Sequence, residues 1–77
     1  MPTILKINGY RFFFFSDEHT PEHIYIEKAD AYARIELDNL NVTDSYNLNS
    51  KELKKLLKLV EENKEKLQGA WNEYFKQ

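Results

Sequence analysis

An α+β fold is predicted for this chain of 77 residues: a four-stranded antiparallel meander with one long C-terminal helix packed on one face. Three observations predict it. Asn8-Gly9 separates two β-rich runs, Thr3 to Ile7 and Tyr10 to Phe15, and this dipeptide tolerates the positive φ angles of a type I′ turn. A second pair of alternating runs follows it. A capping signature then opens an apolar stripe at helical spacing.

The two-residue loop sets the register of the first hairpin, with Ile7 facing Tyr10 and Lys6 facing Arg11. Leu5, Ile7, Tyr10, Phe12 and Phe14 then share one face, and Ile4, Lys6, Arg11, Phe13 and Phe15 the other. Ser16 to Pro21 is a polar connection. The second hairpin runs from His23 to Glu27, turns around Lys28-Ala29-Asp30, and returns from Ala31 to Leu37. Ile24, Ile26, Ala31, Ala33, Ile35 and Leu37 join the apolar face, opposite His23, Tyr25, Glu27, Tyr32, Arg34 and Glu36. Asp38 to Asn49 is rich in turn residues and leaves room for a short fifth strand near Tyr46 to Leu48.

Asn49-Ser50-Lys51-Glu52 reads as a capping box, so the sheet occupies 1–48 and the helix 49–76 of a single domain, 1–77. Leu53, Leu56, Leu57, Val60, Leu67, Trp71, Tyr74 and Phe75 fall within roughly 100° of arc, and Lys64 interrupts the stripe. One helix of that length measures roughly 40 Å, against roughly 23 Å for a seven-residue strand. Either its C-terminal half overhangs the sheet, or the helix breaks near Asn63.

Composition narrows the function classes. A hydrophobic fraction of 42% excludes a disordered tail, and the absence of cysteine excludes a disulfide framework, a thiolate nucleophile and a sulfur-ligated zinc. The net charge of −2 advertises no nucleic acid globally, so any such binding would come from a local patch. No basic leader precedes an apolar segment, and no apolar run approaches the ~20 residues of a membrane span, so a cytoplasmic protein without membrane contact is expected. Asn41-Val42-Thr43 matches a glycosylation sequon, read as coincidence in that setting.

Four groups of residues could carry function. His23, Tyr25, Arg34 and Glu36 lie on one face with Arg11 close by, a set able to work as a metal-free acid/base cluster on RNA: an imidazole to move protons, a guanidinium to stabilise phosphate, a phenol to position it. The plain alternative is a solvated sheet face with ordinary cross-strand pairs. His19 and His23 are four apart in a loop-to-strand stretch, which does not make a metal site, and no cofactor is implied. Lys51, Lys54, Lys55 and Lys58 form a basic stripe opposite the leucines, suited to an anion or simply to solvent. Phe13 and Phe15 would lie on the open face, where they could stack bases or receive a partner unless chain covers them. Finally, Leu67, Trp71, Tyr74 and Phe75 continue past the sheet edge, and a two-fold homodimer through them is expected to bury the patch.

Taken together, Met1-Pro2-Thr3-Ile4-Leu5, the run from Gly9 to Ser16, Pro21-Glu22-His23-Ile24-Tyr25-Ile26-Glu27, Ser50-Lys51-Glu52-Leu53 and Trp71-Asn72-Glu73-Tyr74-Phe75 resemble the small bacterial family called domain of unknown function 4160. The resemblance spans nearly the whole chain. Many members carry a second histidine two residues after the first, where this chain has Tyr25, which leaves His23 as the carried-over candidate, with Arg11 and Glu27 as further positions to test. The resemblance also implies a place in a two-gene cassette of toxin–antitoxin type, beside another small protein. The expected function is therefore a toxin-like, RNA-directed component of such a module. The alternative is a non-enzymatic interaction module that binds its cognate small protein.

Overall fold

The structure, a computed structural model, describes residues 3–14 and 21–75. Expectations for Met1, Pro2, Phe15, the connection 16–20 with His19, and the helix end at Lys76 lie outside the described residues. The elements are β1 (Thr3–Ile7), β2 (Tyr10–Phe13), β3 (His23–Lys28), β4 (Ala31–Glu36), β5 (Val42–Tyr46), α1 (Ser50–Glu62) and α2 (Lys64–Tyr74). The fold is α+β, with an antiparallel sheet in the order β1-β2-β3-β4-β5 and both helices against one face.

The first hairpin forms as its turn dictates. Asn8 and Gly9 take φ of 53° and 84°, and Ile7 pairs with Tyr10, Lys6 with Arg11 and Leu5 with Phe12. The ladder then shifts so that Thr3, not Ile4, meets Phe13; this bulge lets Ile4 pack against the core instead of lying on the open face. The second hairpin turns through Ala29-Asp30 with His23 opposite Glu36 and Lys28 opposite Ala31. Phe12, Phe14, Ile24, Ile26, Ala33, Ile35 and Leu37 are buried under Leu56, Val60 and Leu67, so the alternation of both hairpins reads correctly onto the core face.

Two expectations are corrected. Among the described residues the sheet has five strands, not four: Val42–Tyr46 pairs antiparallel with β4, placing Tyr46 beside Tyr32 and Asp44 beside Arg34. It precedes the position that the turn-rich stretch suggested. Its composition is polar because it is an edge strand with most of its residues exposed, held by the backbone ladder, by Val42 and by side-chain bonds with Tyr32 and Arg34 of β4. The helix is two segments, not one. Asn63 leaves helical geometry at φ −113°, and its side-chain Nδ2 donates at 2.8 Å to the Leu59 carbonyl, which also accepts from the Asn63 backbone N–H at 3.2 Å. The break near Asn63 resolves the excess length noted above. Beyond the break the apolar stripe continues, and Leu67 and Trp71 of α2 are buried with Leu56 and Val60 of α1. The capping box at Asn49 is formed, with Glu52 N–H donating to Asn49 Oδ1 at 2.8 Å and Asn49 N–H donating to Glu52 Oε1 at 3.0 Å.

Candidate functional site: the open sheet face

Strand register builds the open face row by row. One row crosses the sheet as Lys6, Arg11, Glu27, Tyr32 and Tyr46, and the next as Phe13, Tyr25, Arg34 and Asp44. Each row joins a block of charged groups to a pair of aromatic ones, and most charged groups find their partner on the face itself. Arg11 Nη1 donates to Glu27 Oε1 at 3.1 Å, and its guanidinium lies 4.2 Å from the Phe13 ring centre. Arg34 Nη1 donates to Thr43 Oγ1 at 2.6 Å, and the Tyr32 hydroxyl donates to Asp44 Oδ2 at 3.2 Å. That hydrogen bond, and the negative charge of Asp44, hold the Tyr32 phenol above its ordinary pKa, because both favour the protonated form. The rings are paired too: Phe13 stacks on Tyr25 at 5.7 Å and Tyr32 on Tyr46 at 5.9 Å. Between the pairs lies a shallow cleft of about 370 Å³, lined by Phe13, Tyr25, Glu27, Tyr32 and Asp44 among others.

The predicted cluster is only partly assembled. Tyr25 and Arg34 are direct neighbours, and Arg11 joins them through Phe13. His23 does not share their exposure. It is 1% exposed, and its Nδ1 lies 2.8 Å from the Pro21 carbonyl, which can only accept, so that nitrogen carries a proton. Its ring sits between Tyr25 at 5.4 Å and Trp71 of α2 at 5.1 Å. The sequence places His23 on a solvated face; α2 arriving over the end of β3 explains its burial. Glu36 stands opposite His23 in register but accepts from Asn39 Nδ2 at 3.1 Å. Phe13, expected to be exposed unless covered, is 4% exposed, enclosed by Tyr25 and Arg11.

The helical candidates divide. Lys51, Lys54, Lys55 and Lys58 are all exposed on α1, away from the open face, and none makes a hydrogen bond or ion pair among the described residues. Trp71 is 4% exposed and packs on Phe14 at 5.2 Å and Phe75 at 4.4 Å, so the C-terminal patch is largely interior; of its predicted anchors Tyr74 remains outward. Sequence reasoning missed Thr43, Asp44 and Tyr46. No alternation marks them: the ladder shifts between Arg34 and Ile35, so Val42 turns to the core side while Asp44 and Tyr46 lie on the open face. Among the described residues no three His, Asp or Glu side chains gather into a metal-binding group, and no helix is long and apolar enough to cross a membrane.

Comparison with known proteins gives one match. The family model described as Domain of unknown function (DUF4160) matches residues 9–72, from the turn of the first hairpin to the last turns of α2. No curated protein and no solved structure matches.

Proposed function

The chain belongs to the DUF4160 family of domains of unknown function, and we propose that it is a non-enzymatic interaction module, working in the cytoplasm, that receives a cognate small protein on its open sheet face. The observation that carries this reading is the internal charge balance of that face. Lys6, Arg11 and Arg34 are set against Glu27, Glu36 and Asp44, leaving the exposed Tyr32 and Tyr46 as the outward features. A polyanion gains little from a neutral surface, whereas tyrosines held by stacking lose little freedom on meeting a protein. His23 serves packing in this reading.

The partner is the small protein of a toxin–antitoxin-type pair, and the test uses the product of the adjacent gene. Titration calorimetry with the purified neighbour is expected to give a complex that Tyr46→Ala and Tyr32→Ala each weaken by about 5–30-fold, on the order of 1–2 kcal/mol. A neighbour that does not bind, or binds both variants unchanged, overturns the reading.

A second reading, RNA-directed and toxin-like, has one observation in its favour: the Phe13–Tyr25 and Tyr32–Tyr46 stacks, with the Arg11 guanidinium on Phe13, are platforms on which bases could stack. Single-stranded RNA that binds at about 0.15 M salt and is released by Tyr46→Ala would establish that reading in place of the first.

A further inference from the structure

The exposed flank of α1 carries charge the wrong way round for its own helix. Lys51, Lys54, Lys55 and Lys58 occupy its N-terminal half, Glu61 and Glu62 its end, and no basic residue stands in its last turn. Cations at the N-terminus and anions at the C-terminus both oppose the macrodipole. Within the chain only Glu52, the capping residue of the first turn, works against this, and it stands at the very start of the helix. None of these six side chains forms a hydrogen bond or ion pair among the described residues, although Lys58 is spaced to reach Glu61 or Glu62. Positions 51, 54, 58 and 61 lie along one ridge of the helix, so the ridge is positive at one end and negative at the other.

Beside that ridge runs an apolar groove of about 590 Å³ between α1 and the edge strand β5, lined by Val42, Leu53 and Leu57 with Lys51 and Lys54 at its rim. Leu53 and Leu57 are only partly covered by their own chain. Ser45, on the core face of β5 opposite Ala33, is too small and polar to close over them.

A surface whose two halves are opposite in sign, arranged along an axis, is complementary to itself turned through 180°. We propose that a second copy of this chain docks on this flank, α1 antiparallel to α1 about a two-fold axis near Leu57. Lys54 of each copy then faces Glu61 of the other, Leu53 and Leu57 of both copies fill the paired grooves, and each helix terminus lies beside the opposite pole of its neighbour. Antiparallel helices with charged flanks beside an apolar seam are an established mode of pairing. This surface is separate from the open sheet face, and it replaces the C-terminal patch as the dimer contact, since Trp71 and Leu67 are already buried within the chain. A nucleic acid on the lysines would leave Leu53, Leu57 and the glutamates unused.

Sedimentation velocity of the purified full chain, with circular dichroism as the check on folding, tests the proposal. Wild type is expected to sediment as a dimer at ~100 μM, and Lys54→Glu and Glu61→Lys are each expected to raise the dissociation constant by about tenfold or more. The decisive variant is the double exchange, Lys54→Glu with Glu61→Lys, which restores both contacts with their signs swapped and should return the dimer. A monomeric wild type, a dimer indifferent to the single exchanges, or a double exchange no better than the singles overturns the proposal. So does a monomer whose lysines instead bind an RNA oligonucleotide.

Discussion

His23 and Trp71 lie with ring centres 5.1 Å apart, one from the first position of β3 and the other from the last turn and a half of the chain's final helix. The contact ties the beginning of the central hairpin to the last helical segment. It also accounts for the burial of the one histidine among the described residues.

His23→Gln is therefore expected to lower stability. It removes ring packing against Trp71 and Tyr25 and alters the bond to the Pro21 carbonyl, at a cost of about 1–3 kcal/mol. For a domain of this size that is a fall in melting temperature of about 5–20 °C. A near-ultraviolet dichroism melt checks it, and a variant as stable as wild type would mean that the ring contributes nothing to packing.

Leu56→Ala and Trp71→Ala should each cost about 3–5 kcal/mol, because both side chains are buried and the helix segments cannot settle into the space left. Against a total stability on the order of 4–11 kcal/mol, either change removes a large share of the margin. Urea titration gives the figure. A Trp71→Ala protein that keeps its midpoint would show that α2 does not close the core.

Ala29→Gly is expected to stabilise the chain. Ala29 holds φ at 53° in the two-residue turn between β3 and β4, where a Cβ costs energy that glycine avoids, for a gain of about 0.5–1 kcal/mol. Gly9→Ala should do the reverse: Gly9 sits at φ 84°, and an added Cβ would stand 3.1 Å from Lys28 Cε. Opposite signs in paired thermal melts are the required outcome.

Asp44→Asn should let Tyr32 ionise at lower pH than in wild type. The carboxylate accepts from the phenol and repels the phenolate, so the raised pKa stabilises the folded state while the phenol is protonated, a contribution lost as pH rises through the folded value. Ultraviolet difference absorbance of the tyrosinates, with Tyr32→Phe to identify the band, measures the change. An unshifted titration would mean that the bond does not persist in solution.

Much of this fold was legible in the sequence. Asn8-Gly9 sets the register of β1 on β2 because a two-residue turn leaves no freedom, and the alternation through Ile24, Ile26, Ala33 and Ile35 marks the core face because a one-residue slip would bury charge. Asn49 and Glu52 declare the start of α1. Two kinds of information were hidden. β5 gains its place from the backbone of β4 and from Tyr32 and Arg34, none of which is visible in Val42–Tyr46 itself. The enclosure of His23 depends on Trp71 of α2 reaching it, and the apolar spacing that carries Trp71 does not say which strand end it meets. Residues that alternate on a strand share a face, but whether that face is wet is decided by segments far away in sequence.

The break at Asn63 has a consequence during synthesis. α2 follows every strand and α1 in the chain, and it leaves the ribosome after the sheet it covers. At about 5–20 residues per second, the nascent domain spends on the order of a second with Phe14 and His23 bare. A chain cut before α2 would keep every strand and α1 but would lack Trp71 over Phe14 and His23, leaving an aromatic seam open. For a chaperone, that seam distinguishes a copy whose α2 has not docked from one in which it has.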